Sequence, residues 1–453
     1  MQKTKEYIKQ HRNDDIYRLA LTKAPEGVDL QYALIQISAY QTLTKKVPSW
    51  AACDELIFPR QLSLEQSSSE LTAIYKAELI RQFMGSDAYQ HIDLTGGMGI
   101  DCYFIAQYAS HSHYVEQSSE LCTIAQHNFA YLNPNISVHN ATAENFLNQI
   151  TEHKLQSIDN FITENLKNAN SQLSTFNFQL STLIYLDPAR RGDHGQKLVS
   201  IADCQPNIVE LLPQMFELTN KIVVKLSPML DITRAINELP HIQHLYVISV
   251  NNECKELLLF INQQHTTEPT IHAINLSSQQ NTKTIDAQYC PPILEGRAVG
   301  VKGQNSSLLT PNSSLLTGTL SEESALTLTH ARNVGTYIYE PFAAHLKSGL
   351  YKTIAQQYGV EKLHQHSHLY TSDTLNNDFP GRQFQVKDVI PFDKKSAKTL
   401  FKSLSKANIT TRNFPLSVSE LRIQYKIKDG GETYIFATTL YDDSKVIIVC
   451  QKA

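Results

Sequence analysis

The stretch HIDLTGGMGID, His91–Asp101, sets three glycines directly after a short apolar run that ends in an acid. Glycine loses the most conformational freedom on folding and has no side chain to pack, so a cluster of it at a strand end marks backbone that turns sharply or lies close to a ligand. Six further apolar runs follow with helical segments between them: HYVEQ, ISVHNA, TLIYLDP, KIVVKLSP, LYVISV and LLLFI. That alternation predicts an α/β domain, strands and crossover helices in a mostly parallel sheet. Upstream, Met1 to about Met84 reads as helical. LQYALIQISAYQTL and SELTAIYKAELIRQFM carry apolar residues at intervals of three and four, with Ser69 and Thr72 as candidate caps.

The 453 residues, 42% of them hydrophobic and 19% charged, suffice for two or more cores. No apolar stretch approaches the roughly 20 residues that span a bilayer, and the first twenty residues lack the apolar core of a secretory signal. A cytoplasmic protein without membrane contact is therefore expected. Seven cysteines form no CxxC pair, which speaks for reduced thiols rather than a disulfide framework or a zinc knuckle. The net charge of -4 hides an asymmetry. From Phe379 onward 13 Lys and Arg face 7 Asp and Glu, a local +6, leaving 27 against 37 before it. A basic module on an acidic body points to a polyanionic partner, with a merely well-solvated surface as the alternative. Two polar stretches interrupt the pattern. Gln149–Phe178 reads as an insertion at the sheet's rim, and Gly300–Ser321, with its near-duplicate NSSLLTPNSSLLTG, as a linker or exposed loop.

The ligand of the glycine loop follows from its acids. The loop lacks GxGxxG, and Asp93 precedes it, where a carboxylate repels a pyrophosphate and attracts a cation. The next acidic strand end, Glu116, lies at a spacing suited to a nucleoside. These residues resemble the class I S-adenosylmethionine-dependent methyltransferases. The resemblance implies that Asp93, Gly97 and Gly99 hold the methionine portion of S-adenosylmethionine and that Glu116 takes the ribose hydroxyls. It also puts Thr142 and Ala143 beside the adenine, the threonine departing from the usual Asp. A tight strand-to-helix turn with no ligand is the plain alternative for the glycines.

LIYLDPARRG, Leu183–Gly192, ends a strand with Asp187 and Pro188, which fix an extended backbone and turn a carboxylate toward the crevice above the sheet. It resembles the Asp/Asn-Pro-Pro-aromatic motif of amino-group methyltransferases and the Asp-Pro-Pro-Arg motif of uridine C5 methyltransferases, with alanine replacing the second proline. C5 chemistry needs a thiolate, and VVKLSPMLD places Ser227 where the thiol would stand, although Cys204 leaves that chemistry open. Methylation of nitrogen demands less of the protein, chiefly positioning. Asp187 and the Pro188 carbonyl are candidates to hold substrate N–H groups, and Arg190, Arg191 and Lys225 to meet phosphates, with ion pairing or snorkelling as the alternatives.

LSLEQSSSELTAIYKAEL, DLTGGMGID, LDPARRG, VKLSPMLDI, NNECKELLLF, YIYEP, HLYTSD, FPGRQF and ANITTRNFP together resemble a bacterial family of class I methyltransferases with C-terminal ferredoxin-like and THUMP-like domains. That resemblance implies a Rossmann-like domain with a seven-stranded, mostly parallel sheet and small α+β C-terminal modules. The expected division is a helical region 1–84, a methyltransferase domain 85–276, a connecting segment 277–334, a ferredoxin-like domain 335–378 and a THUMP-like domain 379–453. It also implies RNA, tRNA or rRNA, as substrate, because true THUMP domains bind the ends of tRNA. Lys402, Lys406, Arg412 and Phe414 are then candidate phosphate and stacking contacts. Ferredoxin-like names a fold and implies no cluster. His364, His366 and His368 alternate as on a strand face, yet no carboxylate or cysteine joins them, so no metal is expected. The expected activity is S-adenosylmethionine-dependent methylation of structured RNA, nitrogen preferred. A protein or small-molecule acceptor and a catalytically inactive RNA-binding protein are the rivals.

Overall fold

The computed structural model describes residues 2–132, 135–162, 177, 179–190, 201–277 and 315–453. The chain forms two compact units. The first is built on Met1–Gln243 and Leu258–Thr267, the second on His244–Leu257, Glu268–Leu276 and, among the described residues, 315–453.

In the first unit the N-terminal region is helical, as its periodicity predicts: α1 (Gln2–His11), α2 (Ile16–Ala20), α3 (Leu30–Lys46), α4 (Pro48–Ala51), α5 (Gln61–Gln66) and α6 (Glu70–Met84). Ser69 caps α6, its hydroxyl accepting the Thr72 N–H, so of the two candidate caps Ser69 takes that role. Five strands follow the apolar runs: β1 (Tyr89–Asp93), β2 (His111–Glu116), β3 (Ile136–Asn140), β4 (Ser181–Leu186) and, after the short pair β5 (Ala189–Arg190) and β6 (Cys204–Gln205), β7 (Lys221–Leu226). They pair in parallel in the order β3-β2-β1-β4-β7. Such strands are covered on both faces, which is why they read as nearly unbroken apolar runs. The crossover helices are α7 (Ile100–Ala106), α8 (Ser119–Leu132), α9 (Ala143–Ile162) and α10 (Ile208–Leu218), with α11 (Ile232–Glu238) after β7. Strand order reverses at β1, which has β2 on one side and β4 on the other, so the crevice for a ligand opens at the C-terminal ends of these two neighbours.

The runs LYVISV and LLLFI are also strands, β8 (Ile242–Val250) and β9 (Glu253–Asn262). In the second unit β10 (Thr270–Leu276) pairs parallel with β8, and β11 (Leu316–Gly318) antiparallel with β10. The two polar stretches contain more regular structure than their composition suggests. α9 runs to Ile162, and Thr319 caps α12 (Leu320–Ala325) in a reciprocal box with Glu322, where a linker is expected. Residues 163–176, 178 and 300–314 of those stretches lie outside the described residues.

The rest of the second unit is a seven-stranded sheet, β13-β14-β12-β15-β18-β17-β16. Its strands are β12 (Tyr337–Pro341), β13 (Glu361–Lys362), β14 (Tyr370–Ser372), β15 (Gly381–Pro391), β16 (Asn408–Arg412), β17 (Tyr434–Thr439) and β18 (Lys445–Lys452). Two helices follow β12, α13 (Ala343–Ser348) and α14 (Tyr351–Tyr358), separated because Gly349 adopts φ 80° and ends the first. α15 (Lys394–Lys402) matches its periodicity, and α16 (Val418–Tyr425) links β16 to its parallel partner β17. His364, His366 and His368 sit between β13 and β14 rather than along a strand, since the chain turns there and His366 N–H bonds back to His364 Nδ1 at 3.0 Å.

Three histidines are buried in the first unit's sheet: His91, His113 and His139. His113 Nδ1 and His139 Nε2 share a hydrogen bond of 3.1 Å across β2 and β3, and His91 Nδ1 meets Ser112 Oγ at 3.2 Å. Burial lowers all three from the ordinary imidazole range, His91 to about 3 and His139 to about 4. Each is neutral in the fold and protonated in the unfolded chain below about pH 6.5, so the stability they confer is complete above 6.5 and lost as the pH falls. Urea denaturation at pH 7, 6 and 5 should show stability declining with acid. His139→Gln should flatten that decline by about one proton, about 1.4 kcal/mol per pH unit; an unchanged slope would show that this imidazole is not the group titrating.

Candidate functional site

The glycine loop is pressed onto β2. A Cβ at Gly96 would fall 2.2 Å from the Tyr114 ring, and one at Gly99, where φ is 78°, would fall 2.6 Å from Phe129. Only glycine fits either place. Tyr114 donates its hydroxyl to the Gly97 carbonyl at 2.6 Å, and Gly99 opens α7. Gly97 differs: with φ 52°, its missing Cβ would meet nothing nearer than 3.8 Å. Glu116, at the end of β2, accepts the Gly97 N–H on Oε2 at 3.0 Å and the Ser118 N–H on Oε1 at 2.8 Å. Gly97, Gly99 and Glu116 thus come together, while Tyr114, which clamps the loop, escapes a sequence reading because it looks like one more apolar strand residue.

Asp93 ends β1 fully buried, and its Oδ1 accepts the Thr95 N–H at 3.0 Å. Burial, with the nearby charges of Asp101, Asp187 and Glu116, pushes its carboxyl up to about 8 against that one hydrogen bond. A carboxyl so raised is the environment a cation relieves. The group implied by the resemblance fits these residues: a cationic methionine portion suits Asp93, the uncrowded Gly97 leaves room for close backbone approach, and Glu116 offers carboxylate oxygens to hydroxyls. Thr142 and Ala143 follow β3. The Thr142 hydroxyl accepts the Asn145 N–H at 3.2 Å and so caps α9, and Ala143 is buried.

Asp187 follows β4. Its N–H donates to Thr95 Oγ1 at 2.6 Å, tying the Asp-Pro turn to the start of the glycine loop. Pro188 is buried, and β5 pairs antiparallel with β6, opposing Arg190 to the buried Cys204. Arg191 lies outside the described residues. Lys225, near the end of β7, turns inward instead of reaching for a phosphate. Its ammonium pairs with Asp187 Oδ2, bonds Ser68 Oγ at 3.2 Å and stands 3.6 Å from Asp101 Oδ2. Asp101 also receives the Tyr185 hydroxyl at 2.8 Å and the ammonium of Lys76. Against the burial that would raise it, Lys76, Lys225 and the Ser68 hydroxyl hold Asp101 below the usual carboxylate range. Ser68, Lys76, Asp101 and Tyr185 are four residues of this pocket that sequence reasoning missed; the one signal was a lysine inside the apolar stretch AIYKA.

In the second unit, Lys402 and Lys406 are exposed. Arg412 instead donates to Glu340 Oε1 at 3.0 Å, beside Arg382 on Oε2 of the same buried carboxylate. Phe414 packs edge-on against Phe392 at 4.6 Å. Both are engaged in holding the module together. Among the described residues no group of His, Cys, Asp and Glu is arranged to hold a metal, and no helix is long and apolar enough to cross a membrane.

Residues 381–452 match the family model described as THUMP domain-like, and residues 337–380 that of a ferredoxin-like domain. Among solved structures, a candidate methyltransferase from Porphyromonas gingivalis W83 is 32% identical, covering 99% of this chain and 97% of that one, with a TM-score of 0.76. A SAM-dependent methyltransferase from Agrobacterium tumefaciens is 13% identical over 44% of this chain and 64% of that one (TM-score 0.29). An O-methyltransferase from Bacillus cereus in complex with SAH is 14% identical over 56% and 99% (TM-score 0.28). The last two likenesses are too low to bear on function. No curated protein matches the chain.

A cation seated at Asp93 would select its ionised form, so its binding at pH 7 should release most of a proton, and affinity should rise about tenfold from pH 6 to 7. Calorimetric titration with S-adenosylmethionine, in the absence of an acceptor and in buffers of different ionisation enthalpy, measures the release. Asp93→Asn should abolish it; a variant that still releases the proton would show that another group is titrating.

Proposed function

The chain belongs to the bacterial family of class I S-adenosylmethionine-dependent methyltransferases with C-terminal ferredoxin-like and THUMP-like domains, and from that premise we propose that it methylates nitrogen in structured RNA, tRNA or rRNA. It is a methyltransferase, and its cofactor is S-adenosylmethionine. The observation that carries the RNA reading is the THUMP domain-like match at 381–452, which coincides with the basic end of the chain. Lys402 and Lys406, exposed there, are the phosphate contacts we favour. We take the domain division to follow the sequence expectation: catalysis in 85–276, RNA placement in 335–453.

When bound, S-adenosylmethionine supplies a sulfonium methyl, an electrophilic carbon that needs no acid to activate it. In this reading Asp93, Gly97, Gly99 and Glu116 bind the cofactor, with Thr142 and Ala143 beside its base. Asp187, whose Oδ2 is taken by Lys225, offers Oδ1 to a substrate N–H and accepts the proton that the methylated nitrogen gives up. The Pro188 carbonyl accepts a second N–H, and Arg190 and Arg191 lie next in the chain to meet phosphate. Nitrogen is favoured over C5 chemistry because Ser227 offers no thiolate and Cys204 is buried. Alignment of a lone pair with the methyl is then the main demand, and positioning meets it.

The test is transfer of labelled methyl by the purified protein to total RNA from a strain lacking its gene and from the parent strain. Label should enter only the deficient RNA; protease-sensitive, RNase-resistant label would replace RNA with a protein acceptor. Asp93→Ala should lose cofactor binding. Asp187→Ala should keep it and lose turnover by about 100-fold or more; equal loss of binding in both would overturn this division of roles.

A further inference from the structure

We propose that Lys76 is a positioning residue for methyl transfer: by occupying Asp101 it leaves the Lys225 ammonium to Asp187, so that the N-terminal helical region sets the geometry of the substrate-facing carboxylate. The inference rests on the role proposed above for Asp187.

Lys76 is wholly buried on α6, where a charge persists only if paired. Its ammonium lies 3.0 Å from Asp101 Oδ1, 3.1 Å from Oδ2 and 2.7 Å from Ser68 Oγ. Ser68 is fully used. It accepts from Lys76 and from Lys225 at 3.2 Å, and it donates to Asp101 Oδ2 at 2.8 Å, which exhausts one O–H and two lone pairs. The Tyr185 hydroxyl, from β4, fixes the same Asp101 oxygen. Two ammoniums and two carboxylates therefore share one pocket, Lys76 with Asp101 and Lys225 with Asp187, and Ser68 stands between the pairs.

The spacing makes this division depend on Lys76. Lys225 Nζ is already 3.6 Å from Asp101 Oδ2, so a shift of less than about 1 Å would bring it into hydrogen-bond range. With Lys76 gone, Asp101 is a buried carboxylate short of a counter-charge, and among the described residues Lys225 is the other cation in an ion pair with it. Its move would release Asp187, and a displacement of about that size at a reacting centre lowers rate far more than affinity. Asp101 belongs to the glycine-loop helix, Asp187 to the Asp-Pro turn and Lys76 to the N-terminal region, so the pocket ties together the three segments that any transfer reaction here must hold in register.

The test uses the full-length protein and three variants, Lys76→Met, Lys76→Met with Asp101→Asn, and Ser68→Ala. The readouts are crystal structures, S-adenosylhomocysteine affinity and the labelled-methyl assay. In Lys76→Met, Lys225 should move onto Asp101 and off Asp187, and kcat should fall about 10- to 100-fold with cofactor KM and S-adenosylhomocysteine affinity unchanged. The double variant, which removes both charges, should return Lys225 to Asp187 and recover most of kcat. Ser68→Ala should give an intermediate fall in kcat. If the single variant does not fold, the double variant still decides: Lys225 on Asp187 is expected, and Lys225 elsewhere overturns the proposal. Lys225 remaining on Asp187 in Lys76→Met, or a loss of cofactor affinity that matches the loss of kcat, overturns it as well. A wild-type protein that labels no RNA refutes the functional reading, while the position of Lys225 continues to judge this one.

Discussion

The constraint from which the rest of the first unit follows is the crowding of carboxylates at the ends of neighbouring strands. Asp93 and Glu116 end β1 and β2, Asp187 follows β4, and Asp101 lies in the first turn of the helix that the glycine loop feeds. Buried acids repel one another and are held only by compensation. Asp101 and Asp187 find it in Lys76 and Lys225, Glu116 in backbone N–H groups, and Asp93 in a single N–H with its proton retained near neutrality. Of the four acids, Asp93 at the end of β1 thus has the least compensation.

Sterics and charge act together in the same few residues. Tyr114 and Phe129 fill the space that side chains on Gly96 and Gly99 would need, which draws the loop down onto β2. That descent carries the Gly97 amide to the Glu116 carboxylate. Thr95 completes the link by receiving the Asp187 N–H, so the glycine loop and the Asp-Pro turn are tied together. A methyl donor and its acceptor need that kind of mutual fixation, because in-line transfer is lost with small misplacement.

The second unit spends part of its positive charge on itself. Arg382 and Arg412 both grip Glu340, a carboxylate buried at β12. Breaking such a triad would strand a buried charge, so these arginines are held to a structural task. The lysines of α15 and the turn after it carry the basic excess outward instead. Net charge counts both kinds alike, and only the partners of each side chain separate them.

The sequence by itself determined the helical N-terminus, the parallel strands, the glycine turn, the Asp-Pro strand end and the order of the domains, because each of these is written in local periodicity or in a few adjacent residues. The positions of Asp93, Gly97, Gly99, Glu116 and Asp187 at strand ends and in the glycine turn were legible for that reason. Tertiary structure alone decided the pocket of Ser68, Lys76, Asp101, Tyr185 and Lys225, whose members lie up to 157 positions apart. It also decided that Lys225 turns inward and that Arg412 and Phe414 are bound up in packing. A charged side chain's role depends on which opposite charge the fold brings to it, and at such separations in sequence no pattern of neighbours records that meeting.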